Sequence, residues 1–364
     1  MTSHRSITSH NSPVCTGSGL LTLDVVTNGH GDAGPRFWAG GSCGNVLTIL
    51  AYLGWISFPI ARLGDDPAGE TVEADLQRFG VRNDFLYLHG NVRTPIIVEK
   101  IYTNRSGLPS HRFEWRCPCC GTWLPQFTPL PKNMVDQALT SIPSTQAFYF
   151  DRVAPGILAL ADEARKRGAL VVFEPSSFRM SKAFVRALEL AHIVKYSHER
   201  LGDVDFIDLA SRAELVVETL GSVGLRYSLK LRSDRRTSWS ELPAVFVKTL
   251  LDAAGSGDWC TAGIIHTLGS EGVAGWENKS ESEITEALNL GQALAAVNCS
   301  FEGARGAMYS LTRMEVETRV ESFVTRNAST DSAVFSELKV HTSSMALVCP
   351  GCRKESLNKR SQEI

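Results

Sequence analysis

The feature that most constrains this chain is an alternation of short apolar runs with longer small-residue or amphipathic runs, repeated from residue 19 to residue 296. The runs at 19–26, 56–63, 94–102, 147–150, 170–173, 192–195, 214–219, 227–231 and 244–248 read as strands. Those at 43–53, 68–79, 155–167, 182–190, 258–268 and 283–296 read as helices, and Gly54 and Gly80 follow two of them where helices usually stop. Strand, helix, strand in this order predicts an α/β fold, a doubly wound, mostly parallel sheet with helices on both faces. The stretch 104–131 breaks the pattern with clustered Cys, Pro and Trp, so the excursion 94–130 is expected to form part of a small β lid.

At 364 residues and 43% hydrophobic, the chain can bury a large core. A net charge of −2 gives no basic surplus, which argues against a nucleic-acid partner. No apolar run reaches the ~18 residues of a membrane span. The Ser-, Thr- and His-rich start lacks the apolar core of a signal peptide. A soluble cytoplasmic protein without a membrane partner is therefore expected. The domain plan is a disordered start at 1–14, one domain at 15–340, and a C-terminal stretch at 341–364 ending in a solvated tail. A charged loop at 232–236 reads as a solvated hairpin.

The chemistry concentrates in Leu251-Asp-Ala-Ala-Gly-Ser-Gly-Asp-Trp-Cys-Thr-Ala-Gly263. A strand ending near Leu250 is expected to feed a Gly-Ser-Gly turn, with a helix beginning at Asp258. The free amides of a helix N-terminus hold anions, and Gly255 and Gly257 let backbone approach a phosphate closely. Asp258 would otherwise repel that anion, and its presence makes sense as a base for an attacking hydroxyl. Asp is also a favoured N-cap, and the segment alone leaves both readings open.

This segment resembles the C-terminal signature of the ribokinase-like (PfkB) carbohydrate kinases, Asp-Thr-Thr-Gly-Ala-Gly-Asp followed by a small-residue helix. Asp252, Gly255, Gly257, Asp258 and Gly263 match it. Gly40-Gly41-Ser-Cys-Gly-Asn45 and Arg62-Leu-Gly-Asp-Asp-Pro-Ala-Gly69 resemble the N-terminal signature, and Thr219-Leu-Gly221-Ser-Val-Gly224 the turn that lies on the nucleotide. The stretch from Ala293 through Asn298 to Gly306 resembles the helix and turn closing the adenine side. The resemblance spans about residues 17–310. It implies ATP-dependent phosphorylation of a sugar or nucleoside hydroxyl, with Asp258 as base and Gly255, Ser256 and Gly257 as the anion hole. It implies Asp24, Gly40, Gly41 and Asn45 as acceptor ligands, and Ser197, Thr219, Gly221, Gly224 and Asn298 on the nucleotide side. Mg²⁺ is implied with ATP, a K⁺ ion near Asp252 in part of the family, and a homodimer through paired lids.

Two segments depart from the family. Its Asn-x-x-Glu, which orders Mg²⁺, is here Ser197-His-Glu-Arg200, with Glu199 one position away. Glu174-Pro-Ser-Ser177 stands where relatives often have Asp-Pro-Asn. Two further readings of the chain follow: a kinase acting on a sugar-like group of a larger molecule, or a catalytically weak nucleotide or sugar sensor.

Cys117-Pro-Cys-Cys120 and Cys349-Pro-Gly-Cys352 lie outside the resemblance. Each Cys-x-x-Cys turn aims two sulfurs at one point, and two such knuckles make a Cys₄ site for structural Zn²⁺. Cys119 is not expected to be a ligand. The zinc would staple the C-terminal stretch to the lid, or the knuckles would present Trp115, Trp123, Arg116, Arg353 and Lys354 to a larger partner.

Overall fold

The computed structural model describes residues 12–28, 34–105, 107, 109–202, 204, 206–231, 235–324 and 344–354. Most of the polar start, the tip of the charged loop and most of the tail lie outside these residues. Among the described residues, no helix is long and apolar enough to cross a membrane.

Numbered along the chain, the main sheet comprises β1 (Val14–Ser18), β4 (Ile56–Pro59), β9 (Ala147–Phe150), β10 (Leu170–Phe173), β11 (Ile193–Ser197), β12 (Leu215–Thr219), β13 (Gly224–Leu229) and β14 (Ser240–Pro243). Their order is β14-β13-β12-β11-β10-β9-β1-β4. Pairing is parallel from β12 to β4 and antiparallel where β13 and β14 extend the other edge. Alternate residues of the central strands serve two separate cores. Tyr149 and Val172 join one, Phe148 and Val171 the other. Both faces are covered by helices, which is why these strands read as continuous apolar runs. Helices Ser42–Tyr52, Ser256–Leu268 and Glu281–Asn298 pack on one face, and Pro155–Lys166 and Lys182–Leu190 on the other. The doubly wound α/β expectation is met.

The lid is a separate four-stranded sheet of order β3-β2-β7-β8, from β3 (Arg36–Gly40), β2 (Thr22–Asn28), β7 (Ile96–Thr103) and β8 (Pro109–Glu114). It therefore draws on more of the chain than 94–130. The apolar run at 19–26 is not one strand: β1 ends before Gly19, and β2 begins a different sheet at Thr22. The run at 56–63 likewise splits at Ile60 into β4 and β5 (Ala61–Gly64), and β5 pairs with β6 (Leu86–His89). A continuous apolar run cannot reveal such a switch, because both pieces are buried. Residues 244–248 are irregular, not a strand, and a loop rather than a strand feeds the Gly-Ser-Gly turn. β8 lies in the stretch 104–131 read as irregular, and helix Lys132–Ser141 just beyond it was not assigned from the sequence.

Candidate active site

Helix Ser256–Leu268 begins two residues earlier than expected, capped by Gly255 in the left-handed conformation (φ 72°). A Cβ at Gly255 would lie 2.1 Å from the Ala304 carbonyl oxygen, so only glycine fits. Asp258 thus occupies the first helical turn and is not the N-cap. Its buried carboxylate accepts a 2.7 Å hydrogen bond from Asn45 Nδ2. Asn45 sits one turn inside helix Ser42–Tyr52, which follows Gly41. Two helix N-termini therefore face each other through one side-chain bond. Ser256 N–H is donated to the Ala253 carbonyl at 3.2 Å, while Gly257 N–H is a first-turn donor with no intrahelical acceptor.

Burial, then the charge of Glu174, push the Asp258 carboxyl up to about 7, against the Asn45 hydrogen bond and the cations Arg200 and Lys195. Glu174 and Lys195 form an ion pair at 2.8 Å, both buried, directly beneath Gly257. Thr261 Oγ1 donates to Glu174 at 2.6 Å and the Tyr149 hydroxyl at 3.3 Å. Burial disfavours the Lys195 charge, yet Glu174, Cys260 and Asp258 hold its pKa above the ordinary lysine value. This pair gives the departure at Glu174 a place in the site. Its signal in the sequence was Lys195 inside the apolar run Ile193-Val-Lys-Tyr196, since a buried lysine needs a partner.

Asp24 lies within β2, not at a strand end, and is buried. Its Oδ1 accepts from Thr22 Oγ1 at 2.5 Å, and a Cβ at Gly40 would meet its Oδ2 at 1.8 Å. Burial pushes its carboxyl up to about 6, against the Thr22 bond and the charge of Arg305. Asp24, Trp38, Glu99, Gly303 and Arg305 line a cavity with room for about one water, ≈ 10 Å³, between lid and core. On its lining, Trp38 Nε1, Glu99 Oε1, and Arg305 Nε and Nη1 are buried with no hydrogen-bond partner among the described residues, as is Asn45 Oδ1, whose amide nitrogen meets Asp258. Arg305 is otherwise anchored by Asp75 Oδ2 at 2.6 Å and by the Ala39 carbonyl. Trp38, Glu99 and Arg305 were not singled out in the sequence. Glu99 alone carried a signal, a carboxylate in the run Ile96-Ile-Val-Glu. A larger cavity of about 500 Å³ lies over the opposite face, lined by Asp162, Arg186, Glu189 and Arg212, which are ion-paired with one another.

On the nucleotide side, Ser197 and Thr219 are paired at the ends of β11 and β12, and Gly221 and Gly224 turn the chain into β13. A Cβ at Gly221 would sit 3.5 Å from Glu199 Oε1, so Glu199 borders this turn. Ser197 and Glu199 are the oxygen-bearing side chains at this turn, while Arg200 brings a cation within electrostatic reach of Asp258. Asn298 is fully buried, and both ends of its side chain are hydrogen-bonded to backbone.

The four predicted cysteines meet. Cys117 Sγ lies 3.5 Å from Cys352 Sγ and Cys120 Sγ 3.6 Å from Cys349 Sγ, with all four sulfurs within 4.8 Å of one another. A Cβ at Gly351 would lie 2.8 Å from Cys120 Sγ, so glycine permits this approach. Cys119 is exposed and outside the cluster.

No family model matches the chain. It is 26% identical to the fructokinase of Escherichia coli over 76% of this chain and 91% of that protein. Its fold matches the fructokinase of Xylella fastidiosa with bound ATP (TM-score 0.65, 19% identity, 87% of this chain and 99% of that one). It also matches the aminoimidazole riboside kinase of Salmonella enterica (0.62, 19%, 84% and 99%). A fructokinase variant of Vibrio cholerae, in a form with fructose, ADP and potassium bound, matches at 0.64 (21%, 86% and 100%). The fold is thus that of the ribokinase-like kinases. Fold and relatives together support an enzyme of the carbohydrate- or nucleoside-kinase class.

Proposed function

We propose that this chain transfers the γ-phosphate of ATP to a hydroxyl of a small, neutral sugar or nucleoside, with Asp258 as the general base. The observation that carries this reading is a buried carboxylate, raised to near neutrality, in the first turn of a helix whose amides face the same space. The acceptor oxygen attacks the γ-phosphorus, its proton passes to Asp258, and ADP leaves. Gly255 and Gly257 amides hold the phosphate charge, and the neutral Glu174–Lys195 pair beneath them fixes the turn in place. Ser197 and Glu199 would offer oxygens to a hydrated Mg²⁺ bound with the nucleotide, which would supply further neutralisation of phosphate charge.

Asp24, Gly40, Gly41 and Asn45 hold the acceptor. Unpartnered donors on Trp38 and Arg305 and unpartnered acceptors on Asn45 and Glu99 suit a molecule rich in hydroxyls, which both donate and accept.

The test is ATP consumption with Mg²⁺ across a panel of sugars and nucleosides, beside Asp258→Asn. Acceptor-dependent turnover falling roughly 10²–10⁴-fold in the variant is expected. Full activity in the variant, or nucleotide binding without turnover on any acceptor, sinks the reading.

We further propose Zn²⁺ at Cys117, Cys120, Cys349 and Cys352. A tetrahedral site with Zn–S bonds near 2.3 Å sets its sulfurs about 3.8 Å apart, close to the spacing seen. One equivalent of zinc per chain is expected by elemental analysis, lost in Cys120→Ser with Cys349→Ser. Full-length protein free of zinc would overturn it.

A further inference from the structure

The resemblance places a K⁺ ion near Asp252, and the fructokinase variant of Vibrio cholerae carries one. The loops at that position here do not fit such an ion. A monovalent cation is held by converging carbonyl oxygens, aided by a carboxylate. Two carbonyls do converge, Ala254 O from the loop before the anion hole and Gly303 O from the loop after helix Glu281–Asn298. Between them lies the amide of Asn298, whose Nδ2 donates to Ala254 O at 3.2 Å and to Gly303 O at 3.3 Å. Its Oδ1 accepts from Ala307 N at 3.1 Å, so the side chain is fixed in this orientation.

The nearby carboxylate bonds to both loops, and one of its oxygens lies within 4.8 Å of side-chain ligand atoms of Glu99 and His111. Asp252 Oδ1 accepts from Ala254 N and Oδ2 from Gly303 N, each at 2.9 Å. His111 of the lid lies 3.5 Å from Oδ1. Leu251 N adds a 2.9 Å bond to Cys299 O, and Trp259 Nε1 reaches Ala304 O at 3.1 Å. The carbonyls of Ala254, Gly303, Cys299 and Ala304 in these two loops thus each accept a bond from a donor belonging to the chain.

We infer that Asn298 replaces the monovalent cation, its two amide protons bridging Ala254 O and Gly303 O, so that the anion hole forms without K⁺. Asn298 is a positioning residue: it touches no reacting atom and acts through the loop that carries Gly255 and Gly257. The inference rests on the kinase reading only for what the loop holds. The clamp itself is a property of the fold.

The experiment measures ADP affinity by calorimetry and melting temperature, in K⁺ and in tetramethylammonium at equal ionic strength. Tetramethylammonium is too large to enter such a site. For the wild-type chain, ADP affinity within twofold and equal melting temperatures in the two salts are expected. In Asn298→Asp the donors are replaced by a carboxylate facing the same carbonyls. K⁺ is then expected to strengthen ADP binding tenfold or more and to raise the melting temperature selectively. A tenfold K⁺ effect on the wild-type chain overturns the inference, and needs no variant to fold. A folded Asn298→Asp protein indifferent to K⁺ also overturns it. If ADP binds neither form, the kinase reading fails, and the melting temperatures still decide the clamp.

Discussion

The two sides of the candidate site are built on opposite principles. On the phosphate side, polar groups are spent on one another. Glu174 takes Lys195, Thr261 and Tyr149, and Asp252 and Asn298 lace the two loops together. On the acceptor side, Trp38, Glu99, Asn45 and Arg305 keep buried atoms without partners. A buried unsatisfied group costs about 1–3 kcal/mol, so such a cluster persists where a ligand supplies the missing bonds. The difference teaches where this molecule is pre-organised. Charge develops at the same place in every turnover, and the fold fixes its donors there in advance. On the proposed reading the acceptor arrives and leaves, and the open atoms sit on lid strands, on helix Ser42–Tyr52 and on the loop that carries Arg305.

The largest expected effect breaks that comparison at its rigid end. Lys195→Met removes the partner of a buried carboxylate, and breaking such a pair costs about 3–5 kcal/mol. Urea unfolding is expected to show a loss of that order. At the open end, Glu99→Gln relieves a carboxylate whose pKa burial, Asp252 and Asp24 drive well above the ordinary value. It is expected to leave stability unchanged or to raise it, while acceptor KM rises roughly tenfold, about 1.4 kcal/mol, with smaller change in kcat. Equal destabilisation by both substitutions would erase the distinction between the two sides.

What the sequence disclosed follows the same division. Gly255, Asp258, Gly41 and Asn45 were legible because backbone geometry at a helix N-terminus admits few residue types, and those types stand at fixed spacing. The cysteine cluster was legible for a similar reason, since each knuckle is local even though its partner is 229 residues away. The acceptor wall was not. Trp38, Glu99 and Arg305 come from β3, β7 and the loop after helix Glu281–Asn298, and only tertiary packing brings them together. The lid was half seen for a related cause: β2 continues an apolar run close behind β1 of the main sheet, and β3 lies in a stretch that read as neither strand nor helix. Asn298 was read as a nucleotide ligand from its position in the adenine-side motif. Its contacts show a side chain turned inward onto backbone instead.

The smallest predicted effect sharpens the phosphate side. A base must be deprotonated to act, so kcat/KM is expected to fall below about pH 7, following the Asp258 value. Stability has the opposite sign. The folded pKa of Asp258 lies above the ordinary carboxylate value of about 4, so the folded state binds more protons between about pH 4 and 7. The contribution of this group to stability is therefore lost as pH rises through that window. Glu174 pushes the Asp258 value up and Lys195 pulls it down. Glu174→Gln removes the first influence and frees the second, so both changes move the acid limb the same way, to lower pH, by roughly one unit or less. The measurement is kcat/KM against pH for the two proteins under saturating ATP. An acid limb that moves up, or stays where it was, would mean that the pair beneath Gly257 serves packing alone and does not tune the base.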